Sequence, residues 1–131
     1  MFGVGNYPAH PPALTNMLGL IEDRLPTVPV FNDVPQTYPN TFITVERVGG
    51  DDIAHGHISA PLFVFQCYSV DSGGAEELAE LLLSVLKSAQ FTKLGTVQFR
   101  KFELAGGLAA FPNPRVPGRR RWQFSGTFTL N

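Results

Sequence analysis

The segment Ala60–Val70, APLFVFQCYSV, constrains the fold more than any other part of this 131-residue chain. Its apolar residues fall on both of the faces that alternate along a strand, whereas a strand with one solvated face alternates apolar and polar residues. The pattern predicts a central strand that is covered on two sides. A chain of this length, with 44% hydrophobic residues, can build one such core, so we expect a single domain over residues 1–131.

Two amphipathic helices are predicted, and they supply one covering layer. The first spans about Pro12–Leu25 and ends before Pro26, which is incompatible with a continuing helix. Its apolar face comprises Leu14, Leu18, Ile21 and Leu25. The second begins at Asp71-Ser72, two residue types that cap helices, and runs to about Ala89. Its apolar stripe comprises Leu78, Leu81, Leu82, Val85 and Leu86.

Four further strands are predicted, in residues 27–34, Thr41–Val48, Gly95–Leu104 and Arg121–Leu130. Pro29 cannot donate a hydrogen bond to a ladder, so the first of these strands must lie at an edge or be broken. In the last strand, one face comprises Trp122, Phe124, Phe128 and Leu130. In Gly95–Leu104, Val97 and Phe99 are expected on one face, and the opposite face comprises Arg100, Phe102 and Leu104.

The element order α-β-β-β-α-β-β predicts an α+β fold. We expect a single-domain, mainly antiparallel, mixed sheet with both helices packed on one face, and the other face either solvated or paired in an assembly. Two long loops are predicted, 49–59 and 105–119, and loops of this length are functional candidates in a compact domain. Residues 1–11 are rich in Pro and Gly and are predicted to form an irregular N-terminal arm.

The charge of the chain is divided unevenly between its two parts. Up to Leu86 there are ten acidic and two basic residues, and from Lys87 onward there are eight basic residues and one acidic residue. Such asymmetry indicates a nucleic-acid partner, a membrane or a self-complementary assembly, unless the two parts mix within one sheet and their charges average out.

Four arginines fall within seven residues: Arg115, Arg119, Arg120 and Arg121. We expect them to contact the acidic surface of a neighbouring subunit, because the guanidinium fork suits carboxylates. Phosphate contacts and a solvated strand end are the alternatives. Sequence-specific nucleic-acid binding is disfavoured, because the chain is not basic overall and both helices are expected to be buried on one face.

No signature of an active site is present, and we expect neither enzymatic activity nor a cofactor. Cys67 lies within the central strand without a nearby histidine, so it is interpreted as a small buried hydrophobe. No serine lies in a GxSxG motif, and Gly73-Gly74 and Gly106-Gly107 lack the spacing of phosphate-binding loops.

The segment 49–59 holds the residues closest to a metal-binding pattern, namely Asp51, Asp52, His55 and His57. A structural zinc site needs four fixed ligands, and Gly56 between the histidines favours a solvated loop, so no metal is expected. The single cysteine excludes an internal disulfide, the first residues do not resemble a secretion signal, and no apolar run is long enough for a membrane helix. These features predict folding in the cytoplasm without a membrane partner.

The pattern of the chain over residues 12–131 resembles the tail terminator proteins of long-tailed bacteriophages, especially of siphophages that infect actinobacteria. An amphipathic helix comes first. The strand TFITVERVGG with its two aspartates follows, and then the strand APLFVFQCYSV leads into the helix SGGAEELAELLLSVLKSA. The ending GGLAAFPNPRVPGRRRWQFSGTFTL completes the likeness. The Pro-rich arm and the His55–His57 segment depart from the family pattern.

The resemblance implies a structural virion protein at the head-proximal end of the tail. Such proteins form a ring, usually a hexamer, that caps the tail tube, stops its polymerisation and offers a surface to the head-completion or neck protein. The implied partners are other copies of the chain, the major tail tube protein and the neck protein, while DNA passes through the ring without sequence-specific binding. Under this resemblance, a subunit or tube interface is expected at Arg115, Arg119, Arg120 and Arg121. A neck connector of the same virion and a small α+β binding module or enzyme of the host remain alternatives.

The loop that holds Asp51, Asp52, His55 and His57 is expected to serve as a lumen or docking loop. If it faces the opening of the ring, the carboxylates repel the DNA from the wall and let it slide.

Overall fold

The computed structural model describes residues 9–52 and 58–131, with only the backbone of Asp51 and Asp52. The elements are α1 (Ala13–Arg24), β1 (Val30–Phe31), β2 (Thr41–Asp52), β3 (Ser59–Ser69), α2 (Ser72–Ser88), β4 (Thr92–Leu94), β5 (Val97–Ala110) and β6 (Arg120–Leu130). The predicted α+β class and element order are confirmed, and the three-residue strand β4 is an addition. Of the predicted arm, residues 1–8 lie outside the described part of the chain.

All six strands join one mixed sheet in the order β1-β2-β3-β6-β5-β4. The two residues of β1 pair in parallel with β2, and the other neighbours are antiparallel. Val30–Phe31 lies at the sheet edge, as Pro29 predicts, and the Pro29 carbonyl accepts a hydrogen bond from Ile43 N at 2.9 Å. β3 is central, because β2 and β6 flank it on either side.

Both helices pack on the same face of the sheet, and the main core lies between them and the strands. From the strands this core takes alternate residues, among them Ile43, Phe65, Cys67, Phe124 and Phe128. The Asp71 carboxylate caps α2 by accepting a hydrogen bond from Gly74 N at 2.6 Å, which satisfies one of the unpaired N–H groups of the first turn.

The buried stripes of the helices differ in detail from the predicted ones. In α1 the buried residues are Ala13, Met17, Leu20 and Ile21, while the predicted Leu14, Leu18 and Leu25 pack at the margin of the core. In α2 Leu83 is buried, whereas Leu81 is 48% exposed. Each helix carries more apolar residues than one face can bury. Sequence periodicity alone therefore does not determine how the helix is rotated on the sheet.

The predicted facing of residues in β5 is wrong at Phe102. The register between β5 and β6 shifts between Phe99 and Phe102, and this irregularity returns Phe102 to the same buried face as Phe99. The Phe102 ring then lies over Gly126 of β6, where no side chain occupies the space.

Both predicted loops are shorter than expected, because the strands continue into them. β2 runs through Gly49-Gly50 to Asp52 with a register shift after Arg47, and β5 runs through residues 105–110. Gly50 adopts φ +113° against the backbone of β3, a conformation and a clearance that only glycine tolerates. The remaining connections are 53–58, mostly outside the described residues, and 111–119.

A second, smaller core covers part of the opposite face of the sheet. It joins Phe42, Tyr68 and Val116, all at most 1% exposed, with Phe31 and Tyr38 at its border. The rings of Phe42 and Tyr68 stack at 4.5 Å between centroids. Val116 belongs to the connection 111–119, which therefore folds back over the sheet, and both faces of β3 are covered at this end.

Candidate functional site

The connection 111–119 is anchored to the sheet by polar contacts as well as by Val116. The hydroxyl of Tyr38 donates to the carbonyl of Arg115 at 3.1 Å, and the amide of Asn113 donates to the Tyr68 hydroxyl at 3.0 Å. These contacts join segments that lie far apart in the sequence. They therefore fix the connection 111–119 against one end of the sheet.

Two of the four predicted interface arginines hold the connection in place. Arg119 donates from Nε to the Pro39 carbonyl at 2.8 Å and from Nη2 to the Tyr38 carbonyl at 3.0 Å. Arg121 donates from Nε to the Phe111 carbonyl at 2.6 Å, and its guanidinium lies 5.1 Å from the centroid of the Phe111 ring. The acceptors are uncharged carbonyl oxygens, so these contacts leave both positive charges uncompensated.

The other two arginines are exposed at the surface. Arg115 is held through its backbone, since its N–H donates to Asn113 Oδ1 at 3.1 Å and its carbonyl accepts from Tyr38. Arg120 pairs with Ser69 in the ladder between β3 and β6, and its exposed side chain forms no ion pair with the residues that the structure describes. Arg115 and Arg120 are thus the members of the cluster that can meet an external carboxylate.

A groove of about 690 Å³ lies between the connection 111–119 and the start of α2. We call it the hairpin groove, and it is lined among others by Val70, Ser72, Phe111, Pro112, Pro117 and Arg120. Val70 and Phe111 are 52% and 54% exposed, which is unusual for large apolar side chains so close together. The groove combines apolar surface with arginines, and this chemistry suits a partner that carries both an apolar side chain and carboxylates.

The acidic residues of α2 form a surface of opposite charge. Glu76, Glu77 and Glu80 are exposed on the side of the helix that faces away from the sheet. They form no ion pair with a residue in the described ranges 9–52 and 58–131. The acidic face of α2 and the arginines at the connection 111–119 therefore lie on different parts of the folded surface, although Arg115 and Arg121 also share a cavity with Asp33 and Glu46 of the acidic part of the sequence.

The four residues of the predicted lumen or docking loop are only partly within the described residues. The backbones of Asp51 and Asp52 pair with Ala60 and Ser59 at the end of the β2–β3 ladder. His55 and His57 lie outside the described residues. Their assignment stays a prediction.

Two candidate chemistries raised by the sequence, a reactive cysteine and a metal site, can be compared with the described part of the chain. Cys67 is fully buried in the main core, and desolvation raises the pKa of its thiol far above the usual range, so it stays protonated and unreactive. Among the described residues, no group of three or more His, Cys, Asp or Glu side chains is placed to hold a metal ion. Within the same ranges, neither helix has the length and apolarity that crossing a bilayer requires.

The division of the arginines predicts different effects of replacing Arg119 and Arg120. Arg119→Ala removes the hydrogen bonds to Pro39 and Tyr38 and should lower the free energy of unfolding by about 1–2 kcal/mol. Arg120→Ala, the matched control one residue away, should change it by less than about 0.5 kcal/mol. Urea denaturation followed by circular dichroism measures both, and equal losses would contradict the assignment.

Sequence reasoning found the arginine cluster but missed its partners. Nothing in the sequence near Tyr38 and Pro39 signals that their carbonyls accept from Arg119, which lies 81 and 80 positions later. Leu81, which is exposed, was predicted to belong to the buried stripe of the second helix.

No protein-family model and no curated protein matches this chain.

Proposed function

We propose that this chain is a structural virion protein, a tail terminator that forms a ring on the end of a phage tail tube. One observation carries the proposal: the folded chain bears two exposed surfaces of opposite charge, the arginine-lined hairpin groove and the acidic outer face of α2. A ring of identical subunits needs two different patches that fit each other and a rotation that closes.

Three further properties support an assembly role. Only 16% of the residues are charged, which leaves a surface poor in solubilising groups unless neighbours cover part of it. Val70 and Phe111 are exposed beside the arginines, in the combination of apolar and cationic groups that is common at protein interfaces. The resemblance of the sequence pattern to phage tail terminators gives the assembly its proposed identity, with the tube protein and the neck protein as partners.

The test is to add the purified chain to tubes assembled from the major tail tube protein of the same phage genome. We expect the chain to bind at one tube end and to stop further elongation, as seen by electron microscopy and by light scattering. Bovine serum albumin at the same concentration serves as the inert control. Binding only to the portal–connector complex would identify a neck protein instead, and a chain that binds neither would contradict a role in this part of the virion.

A cryo-EM reconstruction of the capped tubes also tests the loop hypothesis. We expect the tip of the β2–β3 hairpin, with Asp51 and Asp52, to line the opening through which DNA passes. The carboxylates would then repel the phosphates of the DNA, so that it slides without binding. A map that places this hairpin on the outer rim would exclude the lumen assignment while leaving the capping role intact.

A further inference from the structure

We propose that the hairpin groove of one copy receives the outer face of α2 of the next copy, with Leu81 entering the groove and Glu77 and Glu80 facing Arg120. The proposal deepens the proposed function, because it names the contact that would close the ring. The contact itself would join two copies of the chain in any assembly. Only the closure of these contacts into a ring rests on the proposed function.

The outer face of α2 has the chemistry that the groove lacks. Leu81 is 48% exposed on a helix whose other core-forming leucines are buried. Glu77 lies three residues before Glu80 and four residues before Leu81, so on the surface of the helix it neighbours both of these side chains. The face therefore presents one apolar side chain beside two carboxylates that have no ion-pair partner among the described residues.

The groove presents the complementary arrangement. Val70 and Phe111 expose about half of their surface, and Arg120 lines the same groove without a described carboxylate partner. Burying Leu81 against these apolar groups removes exposed surface from both copies. Pairing Arg120 with Glu77 or Glu80 fixes the orientation of the contact, because charge complementarity contributes specificity more than raw affinity.

The two surfaces of one chain cannot satisfy each other. Ser72, at the start of α2, lines the groove, and Leu81 lies nine residues further along the same helix, about 14 Å away. α2 is packed on β3 and β6 over its length and is capped by Asp71, so it cannot fold back into the groove. A contact between these surfaces must join two copies head to tail, and such contacts generate rings or filaments.

The experiment uses two full-length variants that each reverse one side of the contact. Arg120→Glu reverses the charge at the position that is proposed to meet Glu77 and Glu80, while Arg119 and Arg121 remain in the groove lining. The double variant Glu77→Arg/Glu80→Arg reverses the charge on the outer face of α2. In sedimentation velocity we expect each variant alone to associate at least about tenfold more weakly than the wild type, because like charges now meet. A 1:1 mixture should recover association, since the reversed charge at position 120 of one variant meets the basic helix face of the other, and the unaltered Arg120 of the second variant meets the unaltered Glu77 and Glu80 of the first.

Two controls separate the contact from folding. Lys93→Glu changes an exposed charge on β4, away from both surfaces, and should associate like the wild type. Leu81→Ser removes the apolar side chain and should weaken association. Circular-dichroism melting at low protein concentration, where copies do not associate, should change little, because Leu81 is half exposed and does not belong to the main core. Folded one-sided variants that associate like the wild type, or a mixture that stays dissociated, would overturn the proposal. So would a wild-type chain that stays monomeric at about 1 mM, both alone and with tubes.

Tube binding distinguishes this proposal from the proposed function. If the variants assemble normally but no longer bind tube ends, the groove receives the tube protein, and the contact between copies is refuted while the capping role survives. If the mixture restores assembly but the assembled wild type ignores tube ends, the contact between copies stands and the capping role fails.

Discussion

Replacing Phe124 with alanine is expected to cost about 3–5 kcal/mol of unfolding free energy. Phe124 is 2% exposed, lies directly opposite Phe65 in the β3–β6 ladder, and stacks on its ring at 5.0 Å between centroids. β6 is held in the sheet by neighbours on both sides and is covered by α2, so the surroundings can collapse only partly into the cavity. A typical domain is stable by only about 5–15 kcal/mol, so this one change removes much of the total.

Phe91→Ala is the matched control for Phe124→Ala. Phe91 is 74% exposed, and its truncation should change the unfolding free energy by less than about 0.5 kcal/mol. Both variants should be unfolded with urea at low protein concentration, because association of copies stabilises the folded state. An unshifted midpoint for Phe124→Ala would mean that the buried face of β6 is the opposite one.

The class of the fold could be predicted because its determinants are local. The alternation in Arg121–Leu130, the doubly apolar segment Ala60–Val70 and the Asp71 cap each require only neighbouring residues. The order of the strands in the sheet has no such signal, since β6 inserts between β3 and β5 through pairings of distant residues. The predicted face of Phe102 was wrong for the same reason, because a register shift between β5 and β6 is a property of the two strands together.

The candidate site divides along the same line. The arginine cluster itself was predicted, because its four members lie within seven residues of the sequence. Which arginines remain available to a partner depends on which backbone carbonyl groups accept hydrogen bonds from them. Every residue has such a carbonyl, so nothing in the sequence distinguishes Tyr38 and Pro39 as the acceptors for Arg119. The exposure of Leu81 depends on how α2 is rotated on the sheet. Periodicity does not determine that rotation when six leucine and valine residues compete for one stripe.

Gly126→Val is expected to destabilise the fold by about 3 kcal/mol through overpacking. A Cβ at position 126 would collide with the ring of Phe102 and would lie 3.1 Å from the Glu103 carbonyl oxygen. Phe102 is itself 7% exposed and packs against the ring of Phe128 at 5.5 Å between centroids, so it has little room to move aside. The loss should appear as a lower urea midpoint, and Gly107→Val, at a strand glycine with open space around it, should be nearly neutral.

A double-mutant cycle isolates the collision from other effects of valine. Phe102→Ala alone should cost about 3–5 kcal/mol, because it opens a cavity above Gly126. Adding Gly126→Val to that variant fills part of the cavity, so the double variant should be more stable than the sum of the two single losses by at least about 1 kcal/mol. Additive losses would mean that the Phe102 ring does not lie over Gly126. The register shift that brings Phe102 to the buried face of β5 would then be placed wrongly.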